Sequence, residues 1–134
     1  LKAAVEIRRW NKHLEITTLL IPGLNDETKE IEELVKWVKE NLGRDIPIHF
    51  SRYSPNYQLD LPATGYEKLK KAWEIGKAYL DYVYIGNAPE LDKSNTYCPG
   101  CGSLLIKRKG YGIDLINLNE KNCGYCGKKL NLVR

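Results

Sequence analysis

Two periods of hydrophobic residues divide the chain. Leu14 to Ile21 reads Leu-Glu-Ile-Thr-Thr-Leu-Leu-Ile, a β-branched and nearly continuous apolar run. Such a run predicts a strand buried on both faces, as in a parallel sheet. Before it, Leu1, Ala4, Val5 and Ile7 fit the end of a helix, with Asn11-Lys12-His13 as its exit loop and His13 facing solvent without a partner. Pro22-Gly23-Leu24-Asn25-Asp26 breaks the strand, and Asn25 or Asp26 is expected to cap the next helix. That helix carries Ile31, Leu34, Val35, Val38 and Leu42 at helical spacing, and Gly43 ends it. Trp37 flanks the stripe as a packing residue.

A second strand is predicted over Asp45 to Tyr53. There His49, Ser51 and Tyr53 alternate with Ile48, Phe50 and Arg52, so one set faces the helices and the other the opposite side. Residues 54–64 form a polar loop, and Thr64 is expected to cap a helix with the stripe Leu69, Ala72, Trp73, Gly76 and Leu80. Tyr82 to Ile85 is a third strand, closed by Gly86-Asn87. Strand, helix, strand, helix, strand predicts an α/β fold with parallel strands. Three such units amount to half of a barrel or of a doubly wound sheet, with an open edge at the strand 14–21.

The tail is different. Cys98-Pro99-Gly100-Cys101 and Cys123-Gly124-Tyr125-Cys126 are separated by twenty-one residues. Two Cys-x-x-Cys turns supply four thiolates to one tetrahedral cation, and a closed set of four sulfurs makes the metal structural. Gly100, Gly102, Gly124 and Gly127 let backbone amides approach the sulfurs. Between the turns, Leu104 to Lys107 and Ile113 to Leu118 read as an antiparallel pair around Gly110-Tyr111-Gly112. This pattern predicts a zinc ribbon. A rubredoxin-like iron site uses the same ligands, and disulfides would require an oxidising compartment.

Composition sets bounds. With 134 residues the chain fits one domain, or one small domain and a metal-stapled appendage, here divided as 1–90 and 91–134. No apolar run reaches the length of a membrane span, and no signal peptide is visible, so a cytoplasmic location is expected. The sequence contains no methionine and begins at Leu1, as expected of a piece of a longer protein. Residues 1–97 carry 14 basic against 15 acidic residues, and residues 98–134 carry 7 against 2. The basic tail offsets the charge of a thiolate site, and its few aromatics argue against nucleic acid as the partner.

Leu19-Leu20-Ile21-Pro22-Gly23-Leu24-Asn25-Asp26, His49-Phe50-Ser51-Arg52-Tyr53, Tyr84-Ile85-Gly86-Asn87 and Asn95-Thr96-Tyr97-Cys98-Pro99-Gly100-Cys101-Gly102 occur in this order. Together they resemble the C-terminal part of radical SAM proteins of the AmmeMemoRadiSam type, relatives of the pyruvate formate-lyase activating enzyme. The resemblance implies a partial (βα) barrel half, and an oxidoreductase that uses S-adenosylmethionine and a [4Fe–4S] cluster in the full-length protein. The family's Cys-x-x-x-Cys-x-x-Cys cluster motif is absent, so this chain alone is expected to be inactive, without catalytic residues of its own. Its contribution to the cofactor site would come from the strand ends, at Ile21, Arg52, Ser54 and Gly86. Ser54 stands where the activating enzymes place a histidine. Arg52 has two open readings, a carboxylate partner or a surface position, and Tyr53 is read as core. Implied partners are the missing N-terminal half of the barrel and, without it, further copies of this chain. The alternative function is a zinc-ribbon interaction module that recruits a protein or nucleic-acid partner.

Overall fold

Residues 1–132 are described by the computed structural model. The two periods of the sequence become α1 (Lys2–Arg9), β1 (Ile16–Leu20), α2 (Thr28–Asn41), β2 (Ile48–Arg52), α3 (Tyr66–Tyr79) and β3 (Val83–Gly86). The three strands pair in parallel in the order β1-β2-β3. Ile16 stands opposite Ile48, and Ile48 opposite Val83.

Alternation along each strand sorts the side chains between two faces. Leu20, Ile48, Phe50, Val83 and Ile85 form the main core with Ile31, Val35 and Val38 of α2 and Leu69 and Ala72 of α3. Both helices therefore cover the same face. The other face carries two cross-strand rows, Thr17–His49–Tyr84 and Leu19–Ser51–Gly86. Their residues are half-buried or exposed. The apolar run 14–21 thus has one helix-covered face, and no helix among the described residues crosses over the second.

Polar side chains join the helices to the strands. The expected caps are absent: Glu27 precedes α2 and Gly65 precedes α3, neither with a side-chain cap bond. Asn25 and Asp26 instead fasten the loop after β1. Asn25 Oδ1 accepts from the Ile21 amide at 2.7 Å, its Nδ2 donates to the Leu19 carbonyl at 2.9 Å, and Asp26 Oδ1 accepts from the Gly23 amide at 2.9 Å. Thr64, fully buried, receives the Tyr53 amide at 2.9 Å and donates to the Leu20 carbonyl. Each side chain satisfies a backbone group at or just beyond the end of a strand.

The tail forms β4 (Thr96–Tyr97), β5 (Leu104–Lys109) and β6 (Gly112–Leu115), an antiparallel three-stranded sheet, and the short pair β7 (Leu118–Asn119) and β8 (Asn122–Cys123). The second ribbon strand, expected to run from Ile113 to Leu118, is interrupted at Asn117, whose φ is +27°. The ribbon lies against the open side of the parallel sheet. Tyr84 Oη is 2.9 Å from Thr96 Oγ1, and Asn131 Nδ2 donates to the carbonyl and carboxylate of Asp45, both at 3.1 Å. Asp45 is also paired with Arg8 of α1 at 3.0 Å. No helix among the described residues is long and apolar enough to cross a membrane.

Gly76 sets how closely α3 approaches the sheet. A methyl group there would come within 2.8 Å of Val83 Cγ1 and 3.2 Å of Phe50 Cε2. We predict that Gly76→Ala lowers the urea midpoint. The overpacking cost of ~1–3 kcal/mol should outweigh the ~1 kcal/mol that alanine adds in helix propensity. An unchanged or raised midpoint would show that the contact is not tight.

Candidate metal centre and the strand ends

Each Cys-x-x-Cys folds back on itself in the same way. The Gly102 amide donates to the Cys98 carbonyl at 2.9 Å, and the Gly127 amide to the Cys123 carbonyl at 2.8 Å. Both glycines have φ of +73°, a left-handed conformation in which a side chain is strained. The glycine after each second cysteine is therefore part of the turn chemistry. Gly100 adds an amide to sulfur, 3.3 Å from Cys98 Sγ.

The two turns face each other. Cys98 Sγ lies 3.6 Å from Cys126 Sγ, and Cys101 Sγ 3.7 Å from Cys123 Sγ. All four sulfurs are within 4.8 Å of one another. A disulfide needs about 2.05 Å, and none is formed. Sulfurs at ~2.3 Å from a central ion occupy tetrahedron corners about 3.8 Å apart, close to the 3.6 and 3.7 Å of the two facing pairs. Cys98 and Cys123 are buried, Cys101 and Cys126 exposed. The set can hold one metal ion such as zinc and leaves no position for a substrate.

Electrostatics point the same way. Four thiolates this close repel one another, and the cluster splits its proton affinities. Cys101 is drawn down to about 6 by the Ser103 hydroxyl, 3.4 Å away, and the Ser103 amide. Cys126 is pushed up to about 12: the Lys128 amide favours its thiolate, but burial and the other three sulfurs outweigh it. A divalent cation removes the conflict by letting all four ionise.

The strand-end residues also come together. Leu20 pairs with Arg52 and Ser51 with Gly86, so Ile21, Arg52, Ser54 and Gly86 lie at one end of the sheet. Arg52 is half-buried. Its Nε donates to the Thr64 carbonyl at 3.0 Å and its guanidinium lies 4.8 Å from the Tyr66 ring centre, so it braces the loop before α3. Ser54 is exposed, and the Ile21 amide is taken by Asn25. Tyr53 is buried, as read from the sequence, and its hydroxyl donates to the Leu59 carbonyl. His13 was expected to lack a partner, yet its Nε2 is 2.9 Å from Glu15, which also holds His49. The spacing of His13 and Glu15, two apart at the entrance to a strand, places both on one side and was the available signal.

No family model matches the chain, and no solved structure matches it. It is 40% identical, over an alignment of 136 residues, to the uncharacterized protein MJ0808 of Methanocaldococcus jannaschii. The match covers 98% of this chain, which spans 40% of the length of that relative.

Cys101→Ser should weaken metal binding more than about 100-fold, beyond the loss typical of an outer-sphere partner, whereas Ser103→Ala should cost about tenfold. Competition with a colorimetric chelator measures both. The proton on Cys126 must leave when metal binds, so affinity should fall as pH is lowered, by about tenfold per unit for each proton displaced. A pH-independent affinity would contradict the cluster's charge conflict.

Proposed function

We propose that this chain is the C-terminal part of a radical SAM oxidoreductase of the AmmeMemoRadiSam type, with a zinc ion held by Cys98, Cys101, Cys123 and Cys126. The observation that carries the reading is the one-sided packing of the sheet. A doubly wound sheet places helices on both faces, whereas a barrel keeps them all outside. Here β1, β2 and β3 follow in sequence order, and α2 and α3 share one core. The polar rows Thr17–His49–Tyr84 and Leu19–Ser51–Gly86 would then face a barrel interior. The relative's greater length leaves room for the remaining strands and for a cluster motif.

The donor set in this chain does not fit a [4Fe–4S] cluster with an open iron. Its four sulfurs lie within 4.8 Å of one another, close enough to ligate one ion and leave none free for a cluster. The role left to residues 1–90 is one wall of the cofactor site, at the strand ends around Ile21, Arg52, Ser54 and Gly86. The ribbon's role is structural: its hydrophobic core is Cys98, Leu105, Ile106, Cys123 and Leu130, so two of its five buried residues are cysteines of the cluster. Metal binding supplies what such a core lacks.

A second reading, a module that docks a protein partner, has one observation in its favour. Tyr111 in the turn before β6 and Ile113 and Leu115 on β6 are exposed, Ile113 at 63% and Leu115 at 61%.

Anaerobic reconstitution tests the first reading. With iron, sulfide and a reductant, the 134-residue chain should form no 5′-deoxyadenosine from S-adenosylmethionine, while the longer relative should bind iron and form it. Product made by this chain, or a relative that binds no iron, would overturn the assignment. The free edge of β1 gives a further expectation: the isolated chain should self-associate by edge pairing. A monodisperse monomer by light scattering across a wide concentration range would count against it.

A further inference from the structure

Between the open face of the sheet and the ribbon lies a cavity of about 450 Å³. That is the size of a small-molecule site, roughly 300–1,000 Å³. Neither the metal centre nor the strand ends account for the polar groups that line it.

Those groups form one connected set. Glu15 Oε1 is 2.9 Å from His13 Nε2, and Oε2 is 2.7 Å from His49 Nε2. The His49 ring stacks on Tyr84 with centres 5.0 Å apart. Tyr84 Oη lies 2.9 Å from Thr96 Oγ1, which also accepts from Arg108 Nη1 at 2.8 Å. Arg108 Nη1 donates to the Ser94 carbonyl at 2.8 Å, its backbone amide to Asn95 Oδ1 at 2.7 Å, and its guanidinium lies 5.5 Å from the Tyr84 ring centre.

Two features distinguish this from simple docking of the ribbon. First, Arg108 is held by neutral acceptors, and no carboxylate among the described residues pairs with it. The one nearby carboxylate, Glu15, has both oxygens engaged by histidines. Burial raises its pKa, but the two imidazoles outweigh that and hold it below the ordinary value, so it stays ionised. Second, the guanidinium is fixed by the ring and by Thr96, which is 1% exposed, so little ordering remains to be lost on binding. Arginine matches carboxylate and phosphate through paired N–H groups, and the rings of His13 and His49 line the same cavity.

We propose that this cavity binds the carboxylate or phosphate group of a small anionic molecule, with Arg108 as the principal contact and His13 and His49 flanking it. The proposal does not depend on the radical SAM reading. It names a site on the ribbon side of the sheet, built by residues of both parts of the chain.

The chain has only two histidines, both in this cluster, so their ring signals report on the cavity alone. The zinc-loaded chain would be titrated with inorganic phosphate and with succinate, at constant ionic strength set by chloride, and followed by NMR of the histidine rings. Saturable shifts with either anion support the site, and the anion that binds assigns its source. Arg108→Gln should weaken that binding at least tenfold while the histidine signals of the free protein persist. Should Arg108→Gln loosen the ribbon, His13→Asn, in an exposed loop, decides: a several-fold weaker affinity by calorimetry supports the site, and an unchanged one overturns it. Shifts no larger than those from chloride, or Arg108→Gln binding as tightly as the parent, would also overturn it.

Discussion

Four sulfurs within 4.8 Å of one another cannot all carry charge unless a cation stands between them. The tail of this protein depends on that constraint. Its buried residues are too few to hold β4 to β8 together by apolar contact, and two of them are the cysteines themselves. Where the sulfurs meet decides where β5 lies. Arg108 and Thr96 follow from that, because they belong to the strands that the metal turns hold in register. The four-cysteine cluster thus bears on the wall of a cavity at some distance from it.

The sheet presents the complementary constraint. Helices on one face leave the other to polar residues and to whatever packs there. On the covered face, Phe50, Val83 and Gly76 interlock closely enough that a single methyl group has no room. On the open face, His49, Ser51 and Tyr84 replace the aliphatic residues expected of a strand buried on both sides. Half-buried positions tolerate groups that a sealed core would exclude, provided they are hydrogen-bonded. Every buried side-chain polar atom among the described residues does find a partner.

The ends of the strands show how short polar side chains replace missing ladder partners. Asn25, Asp26 and Thr64 each sit where a helix cap was expected, and each instead holds a strand end or the loop that leaves it. The side chains that cap helices are the same ones that close loops, since both tasks require a short acceptor near a free amide. Local sequence identifies the need, and the path of the chain selects which amide is met.

The sequence by itself determined what depends on period and spacing. The three strands and two helices of the sheet, the parallel pairing, the core positions Ile31, Val35, Leu69 and Ala72, and the convergence of four cysteines were all legible there. Each follows from contacts within a few turns or from a ligand pattern that has one compact solution. Only the tertiary structure decided which face of the sheet the helices leave open, that Arg52 braces a loop, and that Asn131 ties the tail to Asp45. It alone joined His13, Glu15, His49, Tyr84 and Arg108, which come from a loop, two strands of the parallel sheet and the ribbon. Hydrophobic periodicity is a local property, whereas partners 34 residues apart, as Glu15 and His49 are, depend on how separate elements stack. No pattern along the chain records that.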